Sequence, residues 1–546
     1  MGSALQRGAG RARGRLPVRA FDLTTERWVP VLDGSGDTVE VGLEELLTRA
    51  HELRSIVGHT PPMTAALYRL VLALVHRAFG PPDDEGWDEL WSAGALPRGP
   101  LTKYLKSTRP RFNLFDPRRP FFQCPALGAL TPSTPAKLVP HLAAGNKVTL
   151  FDHTTAADRV TMTPAEAARW LVTAQCFDPG GMKTPFLKDK SSQKAPGNTM
   201  GVVVVEAGTL KDTLLLNLLP YQPELDRPTG NTPEDRPVWE CPEPPGGEPG
   251  SRPSRGWTDL LTWPSRRILL THREDGDRHV VDGVVITPGD RYTGSQVVDE
   301  CMAAFRQPVG ANGKPLRDKP LLPVRLVPLR GVWRHSLELL LVDRREDNRS
   351  RLRPRTLHKI PDHVADGQIG ADEVYTLRVL GQQLDDKGSV VEAYLEERVP
   401  APVALLRADD GALRALVGTS IALADNAGAA LRHMERDYRK DRRAPPSSRL
   451  DLDYWPTLTD EFARLLRDLA KAWPRGGEST RATAAWSRHV REVAQRAAER
   501  WATGSEVEAT DLIPMAKHFE RFLTRLASLV RTFDHEVRNY IPREEE

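Results

Sequence analysis

The chain is short of the features that usually announce a chemistry. Its four cysteines, Cys124, Cys176, Cys241 and Cys301, stand far apart among 546 residues. That excludes a zinc knuckle of close pairs and a dense disulfide framework, and it fits a reducing cytoplasm. No run of about 18 apolar residues offers a membrane span. The arginine-dotted start, Met1 to Leu16, has no apolar stretch of signal-peptide length, and residues 1–20 are expected to be a disordered basic extension. Neither charge sign dominates: 76 basic and 73 acidic side chains leave +3, so any contact with a polyanion must be local.

Catalytic signatures are missing too. There is no Gly-rich phosphate loop ending in Gly-Lys-Ser/Thr, no His-Glu-x-x-His and no Gly-x-Ser-x-Gly elbow. The acidic pairs Asp83-Asp84, Asp385-Asp386 and Asp409-Asp410 fall in expected turns, not in a cluster of carboxylates around an ion. His51, His59, His76, His141 and His153 are scattered, without a second cluster to complete a metal site. No enzyme activity, metal or cofactor is expected.

What is present is an orderly succession of elements. Phe21 to Val31 and Thr38 to Val41 read as strands around Asp33-Gly-Ser-Gly-Asp37. Leu43 to Ala50 and Pro61 to Ala78 read as core helices, the second started by Thr60-Pro-Pro. Up to Pro400 the pattern is irregular: short helices (Trp87 to Ala93, Pro164 to Cys176), strand-like runs (Val202 to Val205, Thr213 to Asn217) and long Pro/Gly loops. After Pro400, helical periodicity covers Leu413–Arg439, Asp460–Trp473, Ser479–Trp501 and Asp511–Arg538, with Phe462, Leu465, Leu466 and Leu469 as a core stripe. The expected fold is α+β, with a large irregular mixed domain over 21–400 followed by a four-helix bundle over 401–546.

Three segments suit contact with a polyanion. Around Gly180-Gly181, the stretch Cys176 to Lys183 can bring bare backbone near a phosphate or groove edge, and Lys183, Lys188, Lys190 and Lys194 add charge. The arginine-rich tract Arg344 to Lys359 is a second. A polar turn, Asp385-Asp386-Lys387-Gly388, between two extended runs reads as a projecting hairpin.

Taken together, Phe21-Asp-Leu-Thr-Thr-Glu-Arg-Trp-Val-Pro-Val31, Pro61 to Ala78, Phe112-Asn-Leu-Phe-Asp-Pro-Arg-Arg-Pro-Phe-Phe-Gln123, Asn146 to His153 and Gly180-Gly-Met-Lys183 resemble the CasA family, the large subunit of the type I-E CRISPR Cascade surveillance complex. The resemblance runs through nearly the whole chain. It implies a non-catalytic subunit that reads a short motif beside the target in double-stranded DNA, while guide RNA pairing reads the target itself. It also implies help with strand separation and R-loop formation. The implied partners are the guide RNA (crRNA), the other Cascade subunits, double-stranded target DNA and a recruited helicase-nuclease, with no membrane.

By that resemblance Phe177, Asp178, Pro179, Gly180, Gly181 and Lys183 form the glycine-rich motif-reading loop. Arg306 stands where the family has a basic-finger lysine. Asp385, Asp386, Lys387 and Gly388, with Gln382 and Gln383 as an alternative register, form the strand-separating wedge. Phe151, Asp152 and His153 belong to a loop that engages guide RNA or neighbouring subunits. The rival readings are a metal-dependent nuclease and a purely structural scaffold.

Overall fold

A computed structural model describes residues 20–80, 83–142, 160–219, 234–310, 314–341, 351–407, 410–443, 449–473, 476–503 and 512–541. The basic extension, the Phe151–His153 loop segment and Arg344, Arg345 and Arg349 of the arginine tract lie outside these residues.

The described chain opens with β1 (Val29–Asp33), β2 (Thr38–Val41) and β3 (Leu53–Ile56), an antiparallel sheet in the order β2-β1-β3. The first strand is shorter than the extended pattern suggested: Phe21 to Arg27 is turn and coil tied to Asn113 through its backbone bridge with Asp22. Helix α1 (Pro61–Phe79) starts where Thr60 accepts from the Met63 N–H and prolines fill the first turn, which lacks partners for its N–H groups anyway. It is buried nearly all round, and its one deep cation, Arg69, is forked at 3.0 Å onto both oxygens of Glu300. A charge this far from water is tolerable only when paired in this way.

Helix α2 (Pro164–Phe177) packs on α1 and begins with a capping box between Thr163 and Glu166. Two short strands follow, β4 (Gly181–Met182) and β5 (Ser191–Ser192), paired antiparallel. Next come β6 (Val202–Glu206) and helix α3 (Leu210–Leu216). Here the sequence reading is corrected, because Thr213 to Asn217 was expected as a strand. Thr209 caps the segment by accepting from the Asp212 N–H, and a leucine run buried on every side has no periodicity to tell helix from strand.

A long antiparallel ribbon, β7 (Arg266–Asp275) and β8 (Arg278–Pro288), leads to β9 (Phe305–Arg306). The hairpin β10 (Val374–Leu384) and β11 (Val391–Pro402) joins β6 in the order β11-β10-β6. Arg378 lies buried within this sheet between Glu206 at 2.9 Å and Glu396 at 2.8 Å.

The C-terminal region is helical: α4 (Gly411–Arg442), α5 (Thr459–Ala472), α6 (Gly476–Ala502) and α7 (Leu512–Tyr540). Helix α4 lies along α6 and α7, and α6 also packs on α5. The stripe Phe462, Leu465, Leu466 and Leu469 is buried, as amphipathic periodicity requires. Two acidic residues that read as turn formers are helix caps instead: Asp83 caps Asp84–Ser92, and Asp410 caps α4. The basic Arg439–Arg442 stretch is the last turn of α4 and complements the helix dipole there.

The composition change at Pro400 falls at the end of β11, yet the apolar core runs across it. Trp333, from the mixed region, sits 4.5 Å from the ring of Phe462 and 5.8 Å from that of Trp486. All four cysteines are free thiols, with Cys124 and Cys301 fully buried.

Candidate nucleic-acid interface

The glycine loop is anchored from behind by a buried charge cluster. Helix α2 ends at Phe177, and Asp178 follows in extended conformation with its N–H still bonded to the Ala174 carbonyl. The Asp178 carboxylate receives Arg266 Nε at 2.5 Å and Lys183 Nζ at 2.6 Å. Arg266 is 2 % exposed and also donates to the carbonyls of Asp178, Pro179, Gln193 and Ser265. Burial pushes the Asp178 carboxyl upward, but the charges of Lys183 and Arg266 outweigh it and hold it below the usual carboxylate range.

Phe177, Asp178 and Pro179 are therefore buried support, and Gly180 and Gly181 emerge from them towards the surface. Gly181 has φ +113, which any side chain would strain. A Cβ on Gly180 would press on the Lys194 N and Ser192 O at 3.3 Å, so its missing side chain makes room for β5. Lys183 is bent back onto Asp178 and only partly exposed, whereas Met182, Lys188, Lys190 and Lys194 are exposed.

The loop and the hairpin, 205 positions apart between Phe177 and Gln382, meet. The Gly180 N–H donates to the Gly388 carbonyl at 3.0 Å. Gln382 Nε2 donates to the Phe177 carbonyl at 2.8 Å and to Asn198 Oδ1 at 2.6 Å. Gly388 adopts φ +70, and the Lys194 side chain occupies the space beside it.

At the tip, Asp385 accepts from the backbone N–H groups of Ser389 and Val390, which close the turn and lower its pKa. Gln383 is bonded to Glu392. Asp386 and Lys387 are the exposed tip residues. Between the loop and Ser133, Lys137 and Ser389 lies a cavity of about 460 Å³.

Arg306, on β9, is exposed. Its neighbour Phe305 lines a cleft of about 390 Å³ together with Ser191, Ser192 and Lys194, which brings the finger to the flank of the loop. Phe151, Asp152 and His153 lie outside the described residues. Arg266 and Ser389 are the site residues that sequence reasoning missed, while Lys194, read only as loop charge, also packs against Gly388. Arg266 and its carboxylate are 88 positions apart, and an arginine at a strand start gives no local signal of that pairing.

Among the described residues no group of His, Cys, Asp and Glu is arranged to hold a metal ion, and no helix is long and apolar enough to cross a membrane. Fold and site together define a class: a large α+β protein with a helical C-terminal region, presenting one ridge made of a glycine loop and a hairpin tip.

Comparison with known proteins narrows that class. Residues 22–497 match the model of CRISPR-associated protein Cse1. The CRISPR-associated protein CasA/Cse1 of Thermus thermophilus is 35% identical over 438 residues, 78% of either chain. The crystal structure of Thermobifida fusca Cse1 superposes with a TM-score of 0.78 at 27% identity, covering 94% of this chain and 98% of that one. A chain of a CRISPR RNA-guided surveillance complex shares the fold, with a TM-score of 0.72 at 21% identity over 93% of this chain and 99% of that one. The chain belongs to the Cse1 (CasA) family of CRISPR-associated proteins, the family its sequence resembles.

Proposed function

We propose that this chain is the large, non-catalytic subunit of a type I-E Cascade, and that its ridge reads the motif flanking the target in double-stranded DNA. Gly180 and Gly181 present main chain to the minor groove, where the hydrogen-bond code is degenerate and close approach counts for more than side-chain pairing. Arg306 and the exposed lysines of the β4–β5 hairpin neutralise phosphates. The β10–β11 tip, led by Lys387 and Asp386, separates the strands beside the motif so that guide RNA can pair. Cutting belongs to a recruited helicase-nuclease, and the Phe151–His153 segment meets guide RNA or a neighbouring subunit.

One observation carries the reading: the hydrogen bond from the Gly180 N–H to the Gly388 carbonyl, which ties loop and tip into a single body. A motif reader that also opens the duplex needs those two parts at a fixed spacing.

The test is duplex binding by a purified guide-RNA complex, with and without this chain and with the flanking motif varied. The expected result is binding that requires both chain and motif, and that is lost with Gly180→Asp and Gly181→Asp together while assembly persists. Equal binding of all motifs would replace this reading with a scaffold role.

A further inference from the structure

Met182 is 80% exposed, more than any other large apolar side chain among the described residues. Its place is unusual in three respects. It directly follows Gly181, which has positive φ and no side chain of its own to cover that flank. It is held in register with Ser191 by the β4–β5 pair, so it is presented from paired backbone. The hairpin around it carries Lys183, Lys188, Lys190 and Lys194, while its one carboxylate, Asp189, is bound to Arg291 at 2.5 Å.

An apolar side chain left 80% exposed on the first strand of a cationic hairpin gains little from the folded protein alone. Lys183 does not project beside it, because its ammonium is bent back to Asp178 at 2.6 Å. A partner that suits both features has a polyanionic surface with an apolar interior reachable through a narrow opening. Duplex DNA entered from the minor groove is such a partner: phosphates line the edges, and the apolar faces of stacked bases open when a thin side chain parts a base step. Methionine is unbranched and polarisable, with the shape such an insertion needs.

We propose that Met182 is a minor-groove wedge, inserted at a base step within the flanking motif and distinct from the β10–β11 tip that acts at the boundary with the target. The inference rests on the motif-reading function proposed above. It assigns base-step unstacking to Met182 and leaves motif reading to the Gly180–Gly181 main chain.

The experiment uses the assembled guide-RNA complex with a guide that does not match the duplex, so that only motif engagement is observed. The duplex carries 2-aminopurine inside the motif, and its fluorescence at saturating complex reports unstacking. Wild type is expected to raise the fluorescence, Met182→Ala to lose the rise while keeping motif preference, and Met182→Leu to retain it. Three outcomes overturn the proposal: an undiminished signal in M182A, motif-dependent binding by wild type with no fluorescence rise, and equal loss of affinity by M182A for motif and non-motif duplexes. Absence of motif preference in wild type is a different failure, since it removes the underlying function itself.

Discussion

At the scale of single residues, Arg266 governs the site although it touches none of its surface. Its guanidinium holds one carboxylate and four carbonyls, and all of those acceptors but the Ser265 carbonyl lie on the loop or its return strand. Replacing it by methionine leaves the Asp178 charge buried with Lys183 alone and several carbonyls unmet. Breaking a buried pair from one side costs about 3–5 kcal/mol. Arg266→Met should therefore lower the urea midpoint markedly and abolish motif-dependent binding, whereas Lys188→Ala on the exposed hairpin should leave the midpoint in place. An unchanged midpoint in the Arg266 variant would show that the cluster supports nothing. Gly181→Ala is a milder change: placing a side chain at φ +113 costs about 1–3 kcal/mol of backbone strain, measurable by the same denaturation.

Among elements, the hairpin tip carries the sharpest expectation. A Cβ on Gly388 would collide with Lys194 Cε, the far end of a flexible side chain that can swing away. Strain at φ +70 adds about 1–2 kcal/mol. Gly388→Ala should move Lys194 and weaken motif binding, while assembly with guide RNA stays normal in size-exclusion chromatography; failed assembly would mean that the hairpin is structural.

The element scale also marks the limit of what the sequence discloses. The α1 start, the C-terminal apolar stripes and the 385–388 turn follow from local rules of capping, periodicity and turn chemistry. Thr213 to Asn217 hides its helix from the sequence because five buried residues in a row erase periodicity. Asp83 and Asp410 look like turn residues in the sequence because caps and turns favour the same side chains for the same reason, a short carboxylate reaching nearby N–H groups. The loop, the finger and the tip were nameable through family resemblance. Their meeting was not, since it depends on hydrogen bonds such as that of Gln382 to Phe177, 205 positions apart.

At the scale of the molecule, one aromatic junction joins the mixed region to the helices. Trp333 is 2 % exposed against Phe462 and Trp486. Trp333→Ala should cost about 3–5 kcal/mol, and a loss confined to the helical region in hydrogen exchange would show two units held together by this ring. Close by, Val332 N–H bonds Glu397 on β11. Burial pushes the Glu397 carboxyl from 4.5 to about 7, with the Val332 hydrogen bond pulling the other way. Because the folded value is the higher one, the folded chain holds this proton more tightly than the unfolded chain does. Its contribution is complete below the unfolded value and is lost as pH rises through about 7. The melting temperature of wild type should fall more than that of Glu397→Gln between about pH 5 and pH 8; parallel curves would remove Glu397 from the account.

The four free thiols have a practical consequence. Burial raises the pKa of every one of them, to about 11 for Cys176, so the reactive thiolate is scarce at neutral pH. A single cysteine introduced at the exposed Lys387 should outcompete all four for a maleimide dye. The native background thus serves as a ready-made blank for fluorescence, and the duplex opening proposed for the hairpin tip becomes something to watch in real time on an otherwise unmodified chain.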